Sequence, residues 1–161
     1  MKRALGFTLV EVMISTAILV VALVSTLEMF VYSLAMAGGD RDLAITQSQA
    51  AQQMEQLYSL EYDILRSTYT NAGALKETPF DIRDINGKVI SRMKGSIYAE
   101  ELSGAAYGLM RVKAVVGYRQ NNNRIIGEDT NLNGRLDVGE DKNGNGELDS
   151  PCEIETVIAY K

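Results

Sequence analysis

The 161-residue sequence has no His, no Trp, one Cys and two Pro, and aromatic residues make up 7% of it. Each scarcity narrows the chemistry. Without His the commonest general base and zinc ligand is missing. No nucleophile–base pair, phosphate loop or thiol pair takes its place, so the sequence does not read as an enzyme. A lone Cys152 excludes an intramolecular disulfide, leaving it buried, free or intermolecular. A basic stripe interleaved with aromatics is also missing, so nucleic acid is not an expected partner.

Charge is present but uneven. The net charge is −5, yet nine carboxylates and only two bases, Arg135 and Lys142, fall between Gly127 and Glu155. The acidity therefore belongs to one stretch and reports a local site. Apolar residues are concentrated at the other end. From Val12 to Leu27 the chain is apolar or weakly polar, with no Pro and no charge. A helix from Phe7 to Leu27 rises about 31 Å, one hydrocarbon thickness. Lys2 and Arg3 precede it, which predicts a single-pass segment with a cytoplasmic N-terminus. Glu11 is the exception within this run. A charge at the centre of a span costs roughly 2.5–3.5 kcal/mol, so Glu11 is expected near an end, paired, or both.

Gly6-Phe7-Thr8-Leu9-Val10-Glu11, behind a short basic leader and ahead of an unbroken apolar helix, resembles the processing site of the type IV pilin and pseudopilin family. The resemblance implies cleavage between Gly6 and Phe7 by prepilin peptidase, and N-methylation of the new Phe7 amine. It implies anchorage in the inner membrane first, then packing with other pilin subunits in a filament raised by an inner-membrane assembly platform. Glu11 would pair with the Phe7 amine of a neighbour and set register more than stability. The filament would stand on the cell surface, or in the periplasm as a pseudopilus. Two other readings of the same stretch are a plain signal anchor with Glu11 at the headgroups, and secretion with cleavage after Ala35-Met36-Ala37. The apolar run is too long for the second.

The organisation expected is a leader at 1–6, a membrane and filament-core helix half at 7–37, and an extracytoplasmic domain at 38–161. Gly38-Gly39 is expected to weaken the helix, at about 1 kcal/mol per Gly relative to Ala, with Asp40 or Asp42 capping a restart. Leu43, Ala50, Met54, Leu57 and Ile64 recur at helical steps and predict an amphipathic helix from Asp42 to about Arg66. Residues 50–57 are similar to the helix of PilV-type minor pilins and small pseudopilins. Major pilins often kink at a proline near the position of Glu28, and the lack of one here favours a minor component. Asn71 to Glu77 reads as loop, with Pro79 preventing helix continuation. Asn86-Gly87 predicts a hairpin within Asp81–Met93. Ser96 to Gly108 reads as loop with a strand at Ile97-Tyr98. Met110–Tyr118 and Ile154–Tyr160 alternate as neighbouring antiparallel strands. The fold class expected is α+β, a pilin-like long N-terminal helix whose outer half packs on a small antiparallel sheet.

Between the last two strands, residues 120–153 form a long, weakly apolar insertion that needs an organiser. Asp129-x-Asn131-x-Asn133-Gly134-Arg135-Leu136-Asp137-x-x-Glu140 fits the twelve-residue EF-hand calcium loop. Alternate residues of a tight turn can aim oxygens at one centre, and hard cations take oxygen. Gly134 permits the bend, Arg135 offers its carbonyl, and Leu136 points into packing. The pattern repeats as Asp141-x-Asn143-x-Asn145-Gly146-Glu147-Leu148-Asp149. Its twelfth position is Cys152, a poor calcium ligand, with Glu153 displaced by one. One Ca²⁺ is expected in the first loop and a second ion in the repeat, at extracellular affinities of about 10⁻⁴–10⁻³ M. Without flanking helices, no helix opening accompanies binding. A solvated loop that binds nothing is the competing reading.

Taken together the residues describe a minor type IV pilin stabilised by calcium. The same signature serves a minor pseudopilin of a type II secretion system. A calcium-dependent adhesin displayed on a pilin stalk is the reading from another class.

Overall fold

A computed structural model describes residues 8–102, 108–120 and 123–160. Its elements are α1 (Leu9–Tyr58), α2 (Tyr62–Tyr69), β1 (Lys76–Arg83), β2 (Val89–Glu101), β3 (Leu109–Arg119), β4 (Ile125–Ile126) and β5 (Glu153–Ala159). The chain divides into two compact units, Met1–Gly38 and Gly39–Lys161.

The described part of the first unit is helix alone. Its apolar side chains are exposed on every face, Leu9 at 76% and Val21 at 66% among them. Residues 38 and 39 stay inside α1, so the two glycines lower helix propensity without ending the helix. No restart is needed there, and neither Asp40 nor Asp42 acts as a cap.

In the second unit, Asp42, Thr46, Ala50, Met54 and Leu57 are the buried residues of α1. Steps of four and three residues place them on one stripe. The stripe differs from the apolar one expected because its first two members are polar. Asp42, 3% exposed, receives both Arg92 nitrogens, Nη2 to Oδ1 at 2.8 Å and Nη1 to Oδ2 at 3.0 Å. Thr46 returns its hydroxyl to the carbonyls of Asp42 and Leu43. The helix also stops at Tyr58, short of Arg66. After a break, α2 starts a new axis and buries Leu65 while Ile64 is 48% exposed. A single helical period through both segments cannot hold across such a break.

The sheet is antiparallel throughout, in the order β1-β2-β3, with β5 and β4 both on the far side of β3. Asp84 Oδ1 accepts the amides of Asn86 and Lys88 and closes the β1–β2 turn. Pro79 lies within β1, an edge strand, where a missing amide costs least. β2 runs on to Glu101, well past the short strand expected at Ile97-Tyr98, because Ser96 to Ala99 are buried on both faces. Residues 103–107 of the expected loop lie outside the described residues. β3 pairs with β5 from Leu109↔Ala159 to Val115↔Glu153.

One face of the sheet meets the helices. Met54, Leu57 and Leu65 pack on Ile97, Ala99, Met110, Val112 and Ala114. Ala50 packs with Ile82, Met93, Val116, Tyr118 and Cys152. Burial on β3 does not alternate, because the opposite face is also covered. There Tyr98, Val115 and Leu148 form a third cluster with Leu136 against it. The insertion between β4 and β5 is thus a lid on the sheet. Cys152 is part of the helix-side core, its Sγ 3.0 Å from Thr46 Oγ1, and burial pushes its thiol pKa up.

Candidate functional site

Two places carry the candidate functional residues. At the N-terminal one, Gly6 and Phe7 lie outside the described residues. Glu11 sits in the first turn of α1. Its Oε2 accepts the amide and the hydroxyl of Thr8, each at 2.9 Å, and Thr8 Oγ1 accepts the Glu11 amide at 3.3 Å. This is a reciprocal capping box, and its signal, Thr-x-x-Glu ahead of an apolar run, is visible in the sequence. Glu11 thereby caps its own helix. α1 is the one helix among the described residues long and apolar enough to cross a membrane.

The second place is the acidic insertion, where both loops fold alike. In the first, Asp129 accepts the Asn133 amide on Oδ1 at 3.1 Å and the Gly134 amide on Oδ2 at 2.7 Å. Asn131 Oδ1 takes the Asn133 amide and Asn133 Oδ1 the Arg135 amide. The side-chain amides of Asn131 and Asn133 both reach Asp137 Oδ2 at 2.7 Å. Glu140 closes the loop: Oε1 accepts the Thr130 amide at 2.7 Å and Oε2 the Asp137 amide at 3.1 Å. Short polar side chains that bond their own backbone two to five residues on stabilise such turns without secondary structure.

The second loop repeats the contacts of the Asp and Asn positions, while its twelfth residue, Cys152, lies in the core and closes nothing. Asp141 accepts the amides of Asn145 and Gly146. Asn143 Oδ1 takes the Asn145 amide and Asn145 Oδ1 the Glu147 amide. Asn143 and Asn145 both donate to Asp149 Oδ2. Gly134 and Gly146 share a left-handed backbone, at φ +74° and +77°.

The carboxylates of Glu147 and Glu153 are turned to bases on the sheet. The Glu147 carboxylate is held by Arg111 and lies 3.4 Å from Lys113 Nζ. Glu153 opens β5, also 3.4 Å from Lys113 Nζ. Lys113 Nζ bonds Asp149 Oδ1 as well. Its side chain is only 4% exposed, so three carboxylates surround a buried ammonium. Sequence alternation places Lys113 on the second face of β3 but says nothing about the insertion folding over it.

Glu128, Tyr98 and Glu77 carry no motif and were not expected at this site. Glu128 is 8% exposed. Its Oε1 accepts the Lys142 amide at 3.1 Å and its Oε2 the Asp149 amide at 3.2 Å. Tyr98 and Glu77 fix the two loops to the sheet through the amides of Leu148 and Leu136.

The electrostatics differ within the insertion. Burial raises the Asp129 pKa, and its amide donors offset only part of that. Asp137 is lowered by the two Asn side chains. Burial works against Glu140 and Asp149 too. Hydrogen bonds from Thr130, Asp137 and Asn131 outweigh it for Glu140, and Lys113 with Asn143 and Asn145 outweigh it for Asp149. Among the described residues, no ion pair reaches Glu128, Asp129, Asp137 or Glu140. Oxygen-bearing Asp, Asn and Glu side chains recur through both loops, the residue types hard divalent cations take, but among the described residues no group of three or more His, Cys, Asp or Glu side chains is placed to hold a metal ion.

Residues 1–27 match the family model described as the prokaryotic N-terminal methylation motif. That match supports a type IV pilin-like prepilin, and the apolar helix behind it fits inner-membrane anchoring before assembly. Comparison with curated proteins and with solved structures found no match to the chain.

Proposed function

We propose that the chain is a minor type IV pilin, a structural subunit that is processed between Gly6 and Phe7, methylated at Phe7, and stabilised by calcium in its acidic insertion. The observation that carries the assembly reading is the methylation motif set directly on an apolar helix whose side chains are exposed on every face. So much apolar surface cannot stay in water, at about 25 cal/mol per Å². A bilayer before assembly and neighbouring subunits afterwards would cover it. Glu11 enters that environment with its carboxylate already bonded to Thr8, which lowers the cost of carrying it there.

Calcium is supported by the matched architecture of the two loops. Asp129, Asn131, Asn133, Asp137 and Glu140 would hold one ion, with the Arg135 carbonyl. Asp141, Asn143, Asn145 and Asp149 would hold another, with the carbonyl of Glu147. A cation would neutralise first-loop carboxylates that no ion pair among the described residues reaches, Arg135 being only a minor influence on Asp137. The second loop already has Lys113 at Asp149, so its ion would bind more weakly.

The N-terminal peptide mass, taken separately from sheared surface filaments and from membranes, tests the assembly reading. Methylated Phe7 in the sheared fraction supports a pilus subunit. Its confinement to membranes would favour a secretion pseudopilus, and a mature start at Gly38 would overturn both. For calcium, amide exchange over residues 123–152 should slow when the ion is added. Equal exchange with calcium and with chelator rejects it.

A further inference from the structure

Asn-Gly occurs four times in the chain, once as Asn86-Gly87 in the β1–β2 turn and three times in the acidic insertion, as Asn133-Gly134, Asn143-Gly144 and Asn145-Gly146. We infer that Asn86 is a self-modifying position, at which the folded protein converts a side-chain amide to a carboxylate, and that the insertion holds the same dipeptide unreacted. The inference is independent of metal binding.

The chemistry needs only the dipeptide and water. The Gly nitrogen, having given its proton to solvent, bonds to the Asn side-chain carbon. The bond from that carbon to the side-chain nitrogen breaks, and ammonia departs from a cyclic imide. Water then opens the ring at either carbonyl. The product is aspartate, or its isomer with the backbone running through the side-chain carbon. Nothing is oxidised or reduced. Glycine suits the step because no Cβ shields its nitrogen. Two freedoms set the rate: the Asn side chain must rotate onto the next nitrogen, and that nitrogen must lose its proton.

In the insertion both are blocked. Asn133 Oδ1 accepts the Arg135 amide at 2.6 Å while Nδ2 donates to Asp137 at 2.7 Å. Asn143 and Asn145 are pinned in the same way, each by an amide two residues on and by Asp149. Rotation toward the following glycine would break both bonds. Each glycine amide also donates to a carboxylate, Gly134 to Asp129 at 2.7 Å, and Gly144 and Gly146 to Asp141 at 2.6 and 2.9 Å. Such charge-assisted bonds are the strong ones. An anion forming on the nitrogen would also face an anion on the acceptor.

Asn86 lacks these restraints. It is exposed, and although its backbone amide bonds Asp84 Oδ1, its side chain has no hydrogen-bond partner among the described residues. The Gly87 amide donates to a neutral acceptor, the Asp84 carbonyl, at 2.9 Å. It does so at the tip of a hairpin, where local opening costs least. A Cβ on Gly87 would meet nothing within 4 Å, so the ring has room. Arg83 Nη1 donates to the Gly87 carbonyl at 2.9 Å, and a cation held there favours the deprotonated nitrogen. The Asp84 carboxylate opposes it, but is itself bonded by the amides of Asn86 and Lys88.

Peptide-resolved mass spectrometry of the full chain tests this, with the protein aged in detergent micelles in mildly alkaline buffer made with ¹⁸O water. Heavy oxygen enters where a ring has opened, so each Asn-Gly reports its own rate. Asn86 should react at least about tenfold faster than Asn133, Asn143 or Asn145, since the insertion adds several hydrogen bonds to each of those dipeptides. In urea the four rates should draw together, because the dipeptide is the same. Equal rates in the folded chain, or an insertion residue ahead of Asn86, overturns the inference. So does an Asn86 that stays intact while the unfolded chain reacts. A rate difference unchanged by urea also overturns it, since the fold would then not be its cause.

Discussion

Tyr98 donates its phenol to Glu77 Oε1 at 2.6 Å, and through this pair the sheet holds both acidic loops at their eighth residue. Tyr98 Oη accepts the Leu148 amide at 3.0 Å, and Glu77 Oε1 accepts the Leu136 amide at 2.8 Å. Burial and the neighbouring carboxylate push the Tyr98 pKa up, so the phenol stays protonated and keeps donating.

Tyr98→Phe should therefore loosen the second loop more than the first. The buried Leu148 amide loses its acceptor, at about 1–3 kcal/mol, while Glu77 can still hold Leu136. Denaturant midpoints measure the cost, and site-resolved amide exchange measures its location. Equal loss of protection at Leu136 and Leu148 would contradict the division of labour.

The two loop glycines should respond differently to alanine. Both have positive φ, so both substitutions pay about 1–2 kcal/mol of left-handed strain. At Gly134 a Cβ would also stand 2.9 Å from the Gly95 carbonyl and from Pro79 Cβ, whereas at Gly146 it meets nothing within 4 Å. Gly134→Ala should thus destabilise clearly more than Gly146→Ala in thermal unfolding. Equal values would mean that the first loop can lift off the sheet at little cost.

Lys113→Met should make stability depend more strongly on calcium. Removing the ammonium leaves Glu147, Asp149 and Glu153 facing one another. Breaking a buried pair costs about 3–5 kcal/mol, less here because Glu153 is 42% exposed. Calcium should restore part of the loss and bind the second loop more tightly than in wild type. Identical unfolding of the variant with calcium and with chelator would count against an ion at Asp149.

Acid should weaken the calcium-free insertion. Asp137, Glu140 and Asp149 have folded pKa values below their ordinary ones. Their contribution is complete above the ordinary carboxylate range and is lost as pH falls through the depressed values. Asp129 has the opposite sign: its raised pKa favours the protonated, calcium-free form, and that advantage fades as pH rises through it. Carboxylate titration by NMR under chelator should show three groups below their usual range and Asp129 above. All four titrating normally would rule out the hydrogen-bonded loops.

How much of this was legible in advance depends on the range of the contacts. The sequence by itself determined what is local: the uncharged apolar segment behind Gly6-Phe7, the turn at Asn86-Gly87, the strand periods around Val112 and Thr156, and the twelve-residue repeat of Asp, Asn and Gly. Those signals arise from neighbours two to four residues apart, where backbone geometry leaves few choices. Tertiary structure alone decided that Asp42 is buried against Arg92, fifty residues on, that α1 stops at Tyr58, and that Lys113 lies beneath the insertion. It also decided that Glu128 receives the amides of Lys142 and Asp149, because a carboxylate fourteen and twenty-one residues away finds them only once the loops pack on Tyr98 and Val115. Periodicity records which face a residue takes. What covers that face is set by packing.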